Sequence, residues 1–267
     1  MEMLKPESNY KFHEIKKLKN KLELYYNNAD YTPFDNPSDS SRQWLLVEKE
    51  ILKNKNKIVR VLEVGSGKSG FYDWLVKRKL NKKVFLHSQD VTKQNISWLK
   101  KKSNDFTIGD LNKIKSLFDI IFSTYVLEHV VQPSVFLKKI YELTNANGVI
   151  FIFCPRYDIL GYTNPSCRNF SLFTKVKIIL CQLKYRILSL LLKKPFFLIQ
   201  SDLAAFYKDY YIDCDAVHWV SKIDLYFWAK NCNLEQTWFY LKSPARIFSK
   251  DWILKKYLTC AVKFKKY

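Results

Sequence analysis

Glycine is scarce in this chain. Only 6 occur among 267 residues, and three of them stand at positions 65, 67 and 70. Such a cluster marks a turn where the backbone takes positive φ or passes close to a ligand. Cysteine is present but never as a CxxC pair; the six stand at 154, 167, 181, 214, 232 and 260. A core-rich chain of this size needs no disulfide framework, so reduced cytosolic thiols are expected. No stretch supplies the roughly 18 uninterrupted apolar residues of a spanning helix. The opening Met1-Glu2-Met3-Leu4-Lys5-Pro6 lacks the apolar core of a secretory signal, so none is expected. Internal repeats are lacking too. Acids are outnumbered, 25 Asp and Glu against 45 Lys and Arg, and the stretch 171–199 contains none.

What is present points to an enzyme-sized α/β chain. Hydrophobic residues make up 48% of the sequence and aromatics 16%, enough for a substantial core. The net charge of +20 has two readings. One is an anionic partner: nucleic acid, an anionic membrane face or a phosphorylated substrate. The other, favoured because lysines fall in nearly every segment, is a biased composition with lysines on solvated faces.

Residues 10–28 carry Phe12, Ile15, Leu18, Leu22 and Tyr25 at helical spacing, and 31–39 reads as a loop. Ser40 or Ser41 starts a second helix to about Leu52, and 54–57 is a polar linker. From Ile58 strands alternate with helices: strands at 58–64, 83–90, 105–110, 118–124 and 148–155, with helices near 70–79, 93–102 and 134–143. Continuous apolar strands in this order predict a parallel sheet covered on both faces. After an interruption, Ser221 caps another helix, and 234–241 and 252–264 read as closing strands joined by a basic loop. The expected fold is therefore α/β: a Rossmann-like doubly wound sheet of about seven strands, mostly parallel, with a C-terminal antiparallel hairpin, N-terminal helices and a helical insert. The expected divisions are 1–57 (helical extension), 58–157 (core), 158–212 (insert) and 213–267 (the rest of the sheet).

The insert places Leu172, Val176, Ile179, Leu183, Ile187 and Leu190 at helical spacing among six Lys and Arg. Two readings stand: a lid packed over an acceptor site, with solvated lysines, or a basic amphipathic helix on an anionic membrane.

The chemistry gathers at strand ends. Glu63-x-Gly65-x-Gly67 follows a strand, and Asp90 ends the next. That pair serves a dinucleotide or an adenosine ligand, the acid accepting hydrogen bonds from ribose hydroxyls; as an alternative, Asp90 caps a helix. No metal-ligand spacing is visible.

The chain resembles a class I S-adenosylmethionine-dependent methyltransferase, of the broad group acting on small molecules, quinones and glycans. The resemblance covers about 58–155. It rests on Val61-Leu62-Glu63-Val64-Gly65-Ser66-Gly67, on Asp90, on Gly109-Asp110-Leu111, and on Phe118-Asp119-Ile120-Ile121 running into Val126-Leu127-Glu128-His129-Val130. The resemblance implies that Gly65, Ser66 and Gly67 pass under the methionine part of the cofactor and that Glu63 positions that turn. It implies that Asp90 holds the ribose, that Asp110 and Leu111 hold the adenine, and that Thr124 and Tyr125 line the path to the acceptor. Ser69 departs from the family, which usually has a third glycine there. If the acceptor must lose a proton, His129 and His218 are the candidate bases, each with a structural alternative.

The expected activity is methyl transfer to a small or medium acceptor, first of all a sugar hydroxyl on a lipid-linked or nucleotide-linked glycan. The expected location is the cytoplasm; peripheral contact through 171–199 with the inner face of the membrane is the alternative to the lid reading. A nucleic-acid acceptor is disfavoured, because Ser123-Thr124-Tyr125-Val126 lacks the Asn/Asp-Pro-Pro-aromatic signature of base amino-group methylation. A non-catalytic binding protein finds support only in Ser69.

Overall fold

The computed structural model describes residues 4–28, 38–54, 57–159, 162–167, 170–206, 213–241 and 257–267. Parts of four expected features lie outside them: the loop up to position 37, linker residues 55–56, insert residues 160–161, 168–169 and 207–212, and the basic loop with the start of the last strand at 242–256. The first elements are β1 (Leu4–Pro6), α1 (Phe12–Asn28), α2 (Ser41–Lys53), β2 (Val59–Val64), α3 (Phe71–Lys77), β3 (Val84–Asp90), α4 (Ile96–Lys101), β4 (Asp105–Ile108) and β5 (Phe118–Thr124). They are followed by α5 (Pro133–Leu143), β6 (Thr144–Pro155), α6 (Leu172–Leu192), β7 (Leu198–Gln200), α7 (Lys222–Asn231), β8 (Glu235–Trp238) and β9 (Thr259–Lys265).

The chain forms two compact units. One comprises Tyr31–Val126, Leu137–Phe153 and Leu234–Tyr267. Its seven-stranded sheet runs β4-β3-β2-β5-β6-β9-β8. β2 pairs in parallel with β3 and β5, β3 with β4, and β5 with β6, while β8 lies antiparallel to β9. The expected doubly wound sheet and closing hairpin are both there. Val59, Val61, Leu62 and Val64 of β2 are buried on both faces, which is why the strand reads as an unbroken apolar run. α2 packs Trp44, Val47 and Ile51 into the same core as Phe71, Phe122, Phe151 and Phe153. The strand order reverses at β2, between β3 and β5. In open α/β sheets this is where ligands bind, beyond the carboxyl ends of the strands.

The second unit comprises Met1–Asp30, Leu127–Phe136 and Cys154–Asn233. α1 buries Ile15, Leu18 and Leu22 with Ile199, Leu203 and Val217, as its spacing predicts, but Phe12 is 83% exposed. β1 pairs antiparallel with β7, a three-residue match too short to leave a sequence signal. The expected boundaries shift here. α2 belongs with the sheet and α1 does not, and residues 213–233 belong with this unit rather than with the sheet. The reason is local: Gln200 N–H donates to Val217 O at 2.8 Å, Trp219 N–H to Leu198 O at 2.9 Å, and Asp224 of α7 receives Arg186 of α6 in a buried ion pair.

α6 turns the usual amphipathic logic around. Ser171 caps it by accepting from Thr174 N–H at 3.2 Å. The face it buries is mostly polar: Ile178, Gln182, Arg186 and Ser189. Besides Arg186, Ser189 Oγ donates to Asp224 Oδ1 at 3.0 Å. The apolar stripe that predicts the helix is largely exposed, from Leu172 (80%) through Val176, Leu183 and Ile187 to Leu190 (55%), and only Ile179 is half-buried. Among the described residues, no helix is long and apolar enough to cross a membrane.

Candidate active site

The glycine-rich turn leaves β2 at Val64. Gly65 and Gly67 take φ +63° and +52°, the left-handed region that glycine enters without strain. A Cβ at Gly65 would stand 2.4 Å from Val126 Cγ2, so no larger residue fits there. A Cβ at Gly67 would meet only Asp90 Oδ2, at 3.9 Å. That open side of the backbone is room for a ligand. Asp90 Oδ2 accepts from Gly67 N–H at 2.6 Å and Oδ1 from Thr92 N–H at 2.8 Å, so the carboxylate braces the turn and the segment after β3 together.

Gln89 is the residue that sequence reasoning missed. Its Oε1 accepts from Gly65 N–H at 3.1 Å, its Nε2 donates to Gly109 O at 2.6 Å, and its backbone carbonyl accepts from Ser66 N–H at 2.9 Å. One side chain thus ties the turn after β2 to the turn after β4. Nothing in its local sequence signals this, because the partners come from two other strands.

Ser69, the departure from the family pattern, has work of its own. Its Oγ donates to Glu63 Oε1 at 2.6 Å and accepts from Phe71 N–H at 3.1 Å, at the start of α3. Glu63 is buried. Burial first, with the nearby Asp90 charge, pushes its carboxyl up to about 8, against the pull of the Ser69 hydrogen bond. Burial also raises Asp90, against the hydrogen bonds it accepts.

The parallel register sets the remaining strand-end residues on the same edge. Val64 pairs with Gln89 and with Ser123, and Asp90 with Ile108. Asp110 is exposed and its Oδ1 accepts from Asn112 N–H at 2.7 Å; Leu111 beside it is buried. Thr124 Oγ1 is buried without a hydrogen-bond partner. Tyr125 holds φ +58°, unusual for a bulky side chain, and strain of this kind gathers at functional sites. The unit with the sheet therefore brings together Glu63, Gly65, Ser66, Gly67, Asp90, Asp110, Leu111, Thr124 and Tyr125. Two buried acids beside an open glycine turn, with a hydroxyl lacking a partner, fit a cationic nucleoside such as S-adenosylmethionine.

His129 and His218 lie in the other unit, in opposite environments. His129 follows Glu128 in a single helical turn, Leu127–His129. Its Nδ1 lies 3.1 Å from Asp215 Oδ2, an ion pair rather than an aligned hydrogen bond, and Nε2 lies 4.0 Å from both Glu128 Oε1 and Asp213 Oδ1. Tyr26 Oη donates to Asp215 Oδ2 at 2.9 Å. Burial works against the charged ring, but Asp215, Glu128 and Asp213 outweigh it and push His129 up to about 10. Burial, with the two aspartates, raises Glu128 to about 8 against the pull of the His129 charge. His218 is 1% exposed, with its Nδ1 3.0 Å from Leu127 O. A carbonyl only accepts, so Nδ1 carries the proton. Burial pushes this ring down to about 3. His218 is thus a neutral core residue, whereas His129 stands among three carboxylates. The sequence offers no metal-ligand spacing, yet the fold gathers Glu128, His129 and Asp213 from separate segments.

A family described as a methyltransferase domain matches residues 28–196, more than half of the chain. No curated protein matches the sequence. Among solved structures, the chain is similar to the plantazolicin methyltransferase BpumL in complex with a pentazolic desmethylPZN analog and SAH. The TM-score is 0.52 at 14% identity, over 95% of this chain and 98% of that one. The BpumL complex with a triazolic analog and SAH gives 0.51 at 13% identity, over 96% and 99%. At these identities the likeness is one of fold.

Proposed function

This chain belongs to the methyltransferase-domain family and is a class I S-adenosylmethionine-dependent methyltransferase; on that premise we propose that its acceptor is a sugar hydroxyl on a lipid-linked glycan, met at an anionic membrane surface. The observation that carries the proposal is α6. A water-facing helix does not ordinarily bury Gln182, Arg186 and Ser189 while exposing Leu172, Leu183, Ile187 and Leu190. The stretch 171–199 carries Lys175, Lys177, Lys184, Lys193 and Lys194 and has no acid. Apolar burial together with attraction to anionic headgroups is what holds an interfacial helix.

In this reading Gly65, Ser66 and Gly67 pass under the methionine part of the cofactor and Glu63 balances its positive charge. Asp90 holds the ribose, Asp110 and Leu111 hold the adenine, and Thr124 with Tyr125 opens toward the acceptor. Bound S-adenosylmethionine supplies a methyl group on a sulfonium whose leaving group is already activated. The residues therefore contribute chiefly alignment. A hydroxyl acceptor must also lose a proton. The charged His129 ring cannot take it; Asp215 holds that ring, and Asp213 is the more exposed of the two aspartates beside it. His218 supports the turn from beneath.

The test is methyl transfer from labelled S-adenosylmethionine to separated fractions: lipid-linked sugars, nucleotide sugars, peptides and RNA. Label should enter the lipid-linked fraction and stay on the sugar after the lipid is hydrolysed off. Label in peptide or RNA alone would overturn the proposal.

A further inference from the structure

We propose that Glu128, His129 and Asp213 form a binding site for a divalent cation, with Asp215 as the residue that orients His129. The three candidate ligand atoms, His129 Nε2 and one carboxylate oxygen each from Glu128 and Asp213, lie within 4.8 Å of one another. Ligands on a tetrahedral ion with bonds near 2.1 Å stand about 3.4 Å apart, so side-chain shifts of roughly 1 Å close the site.

Glu128 is the independent sign that something is to be held there. The residue is fully buried, and neither carboxylate oxygen has a hydrogen-bond partner in another residue. Buried carboxylates are hydrogen-bonded, closely paired or coordinate metals, and Glu128 has only the His129 ring, 4.0 Å away. A cation shared with His129 and Asp213 supplies the missing partner.

The surroundings are those of a built site. Metal-bound imidazoles usually give their second nitrogen to a carboxylate, which fixes the ring. Here Asp215 Oδ2 stands 3.1 Å from His129 Nδ1 and is itself held by Tyr26 Oη at 2.9 Å. The two ligand-bearing segments are locked together through the backbone. Glu128 O accepts from Val217 N–H at 2.9 Å and from His218 N–H at 2.8 Å, and Leu127 O accepts from His218 Nδ1 at 3.0 Å. His218, which carries no charge, thereby gains a definite task in holding the turn.

One imidazole and two carboxylates suit manganese, iron(II) or zinc better than calcium. Three protein ligands leave coordination positions open for water.

The experiment titrates Mn²⁺ into the chelator-stripped chain and follows free Mn²⁺ by electron paramagnetic resonance. One saturable site is expected. Asp213→Asn and Glu128→Gln should each weaken it by roughly tenfold or more, and so should Asp215→Asn as the orienting residue. Asp213 is partly exposed, so its variant folds even if Glu128→Gln does not. Calorimetry with S-adenosylmethionine should give unchanged affinity in Asp213→Asn, separating loss of the ion from failure of the cofactor site. The proposal is overturned if no site saturates with Mn²⁺ or Zn²⁺, if the three variants bind as tightly as the wild type, or if methylammonium saturates the site and neither metal does.

Discussion

Ser69 Oγ donates a hydrogen bond to Glu63 Oε1 at 2.6 Å, inside the turn that carries Gly65 and Gly67. The serine that replaces a glycine of the family pattern therefore serves as the partner of a buried acid and as the acceptor for Phe71 N–H at the start of α3. Ser69→Ala removes both bonds and leaves a buried acceptor bare. Denaturant unfolding should show a loss of about 1–3 kcal/mol. An unchanged midpoint would mean that the bond carries no net stability.

The acid itself sets a pH dependence. Burial holds the Glu63 proton up to about 8, whereas the unfolded chain releases it near 4.5. The folded state binds the extra proton between those values, so this group makes stability fall as pH rises from about 4.5 to 8 and then level off. The slope from Glu63 alone reaches about 1.4 kcal/mol per pH unit. Glu63→Gln should flatten the curve in that window. A cationic cofactor favours the ionised acid, so its binding below pH 8 should release a proton and tighten as pH rises. Calorimetry in buffers of different ionisation enthalpy counts that proton, and none released near pH 7 would contradict the assignment of Glu63.

Gln89 offers a separate test of the strand-end architecture. Gln89→Leu leaves Gly65 N–H and Gly109 O without the partner that joins the two turns. Cofactor affinity should fall by roughly tenfold, about 1.4 kcal/mol. Far-ultraviolet circular dichroism should stay as in the wild type, because no strand loses a ladder bond. Equal affinity would mean that the turns hold their positions without the bridge.

The two faces of α6 should respond in opposite ways. Asp224→Ala strips the partner from buried Arg186 and should cost about 3–5 kcal/mol. Leu183→Ser with Leu190→Ser touches exposed positions and should leave unfolding nearly unchanged. The same double variant should lose flotation with vesicles containing phosphatidylglycerol. Retained flotation would remove the membrane from the account.

These residues show what the linear chain could and could not say. β2 to β6 and the closing hairpin were legible because apolar strands, glycine turns and strand-end acids are local patterns. Gln89 was not, because its meaning lies in two glycines brought beside it by strand pairing. The stripe on α6 marks a helix, but periodicity cannot tell which face is buried. Arg186 meeting Asp224 decided that, across a gap in sequence. The contrast between His129 and His218 is hidden for the same reason: Asp213, Asp215 and Glu128 surround one ring, while the other meets the Leu127 carbonyl in the core.

The proposed acceptor is one presented at a membrane. The most direct test of this compares labelled methyl transfer to a lipid-linked sugar in phosphatidylglycerol and in phosphatidylcholine vesicles, using the wild type and the Leu183→Ser, Leu190→Ser variant. Transfer should be several-fold faster on the anionic vesicles and should collapse in the variant, whose affinity for S-adenosylmethionine stays that of the wild type. Equal transfer on both kinds of vesicle, or in the variant, would contradict it.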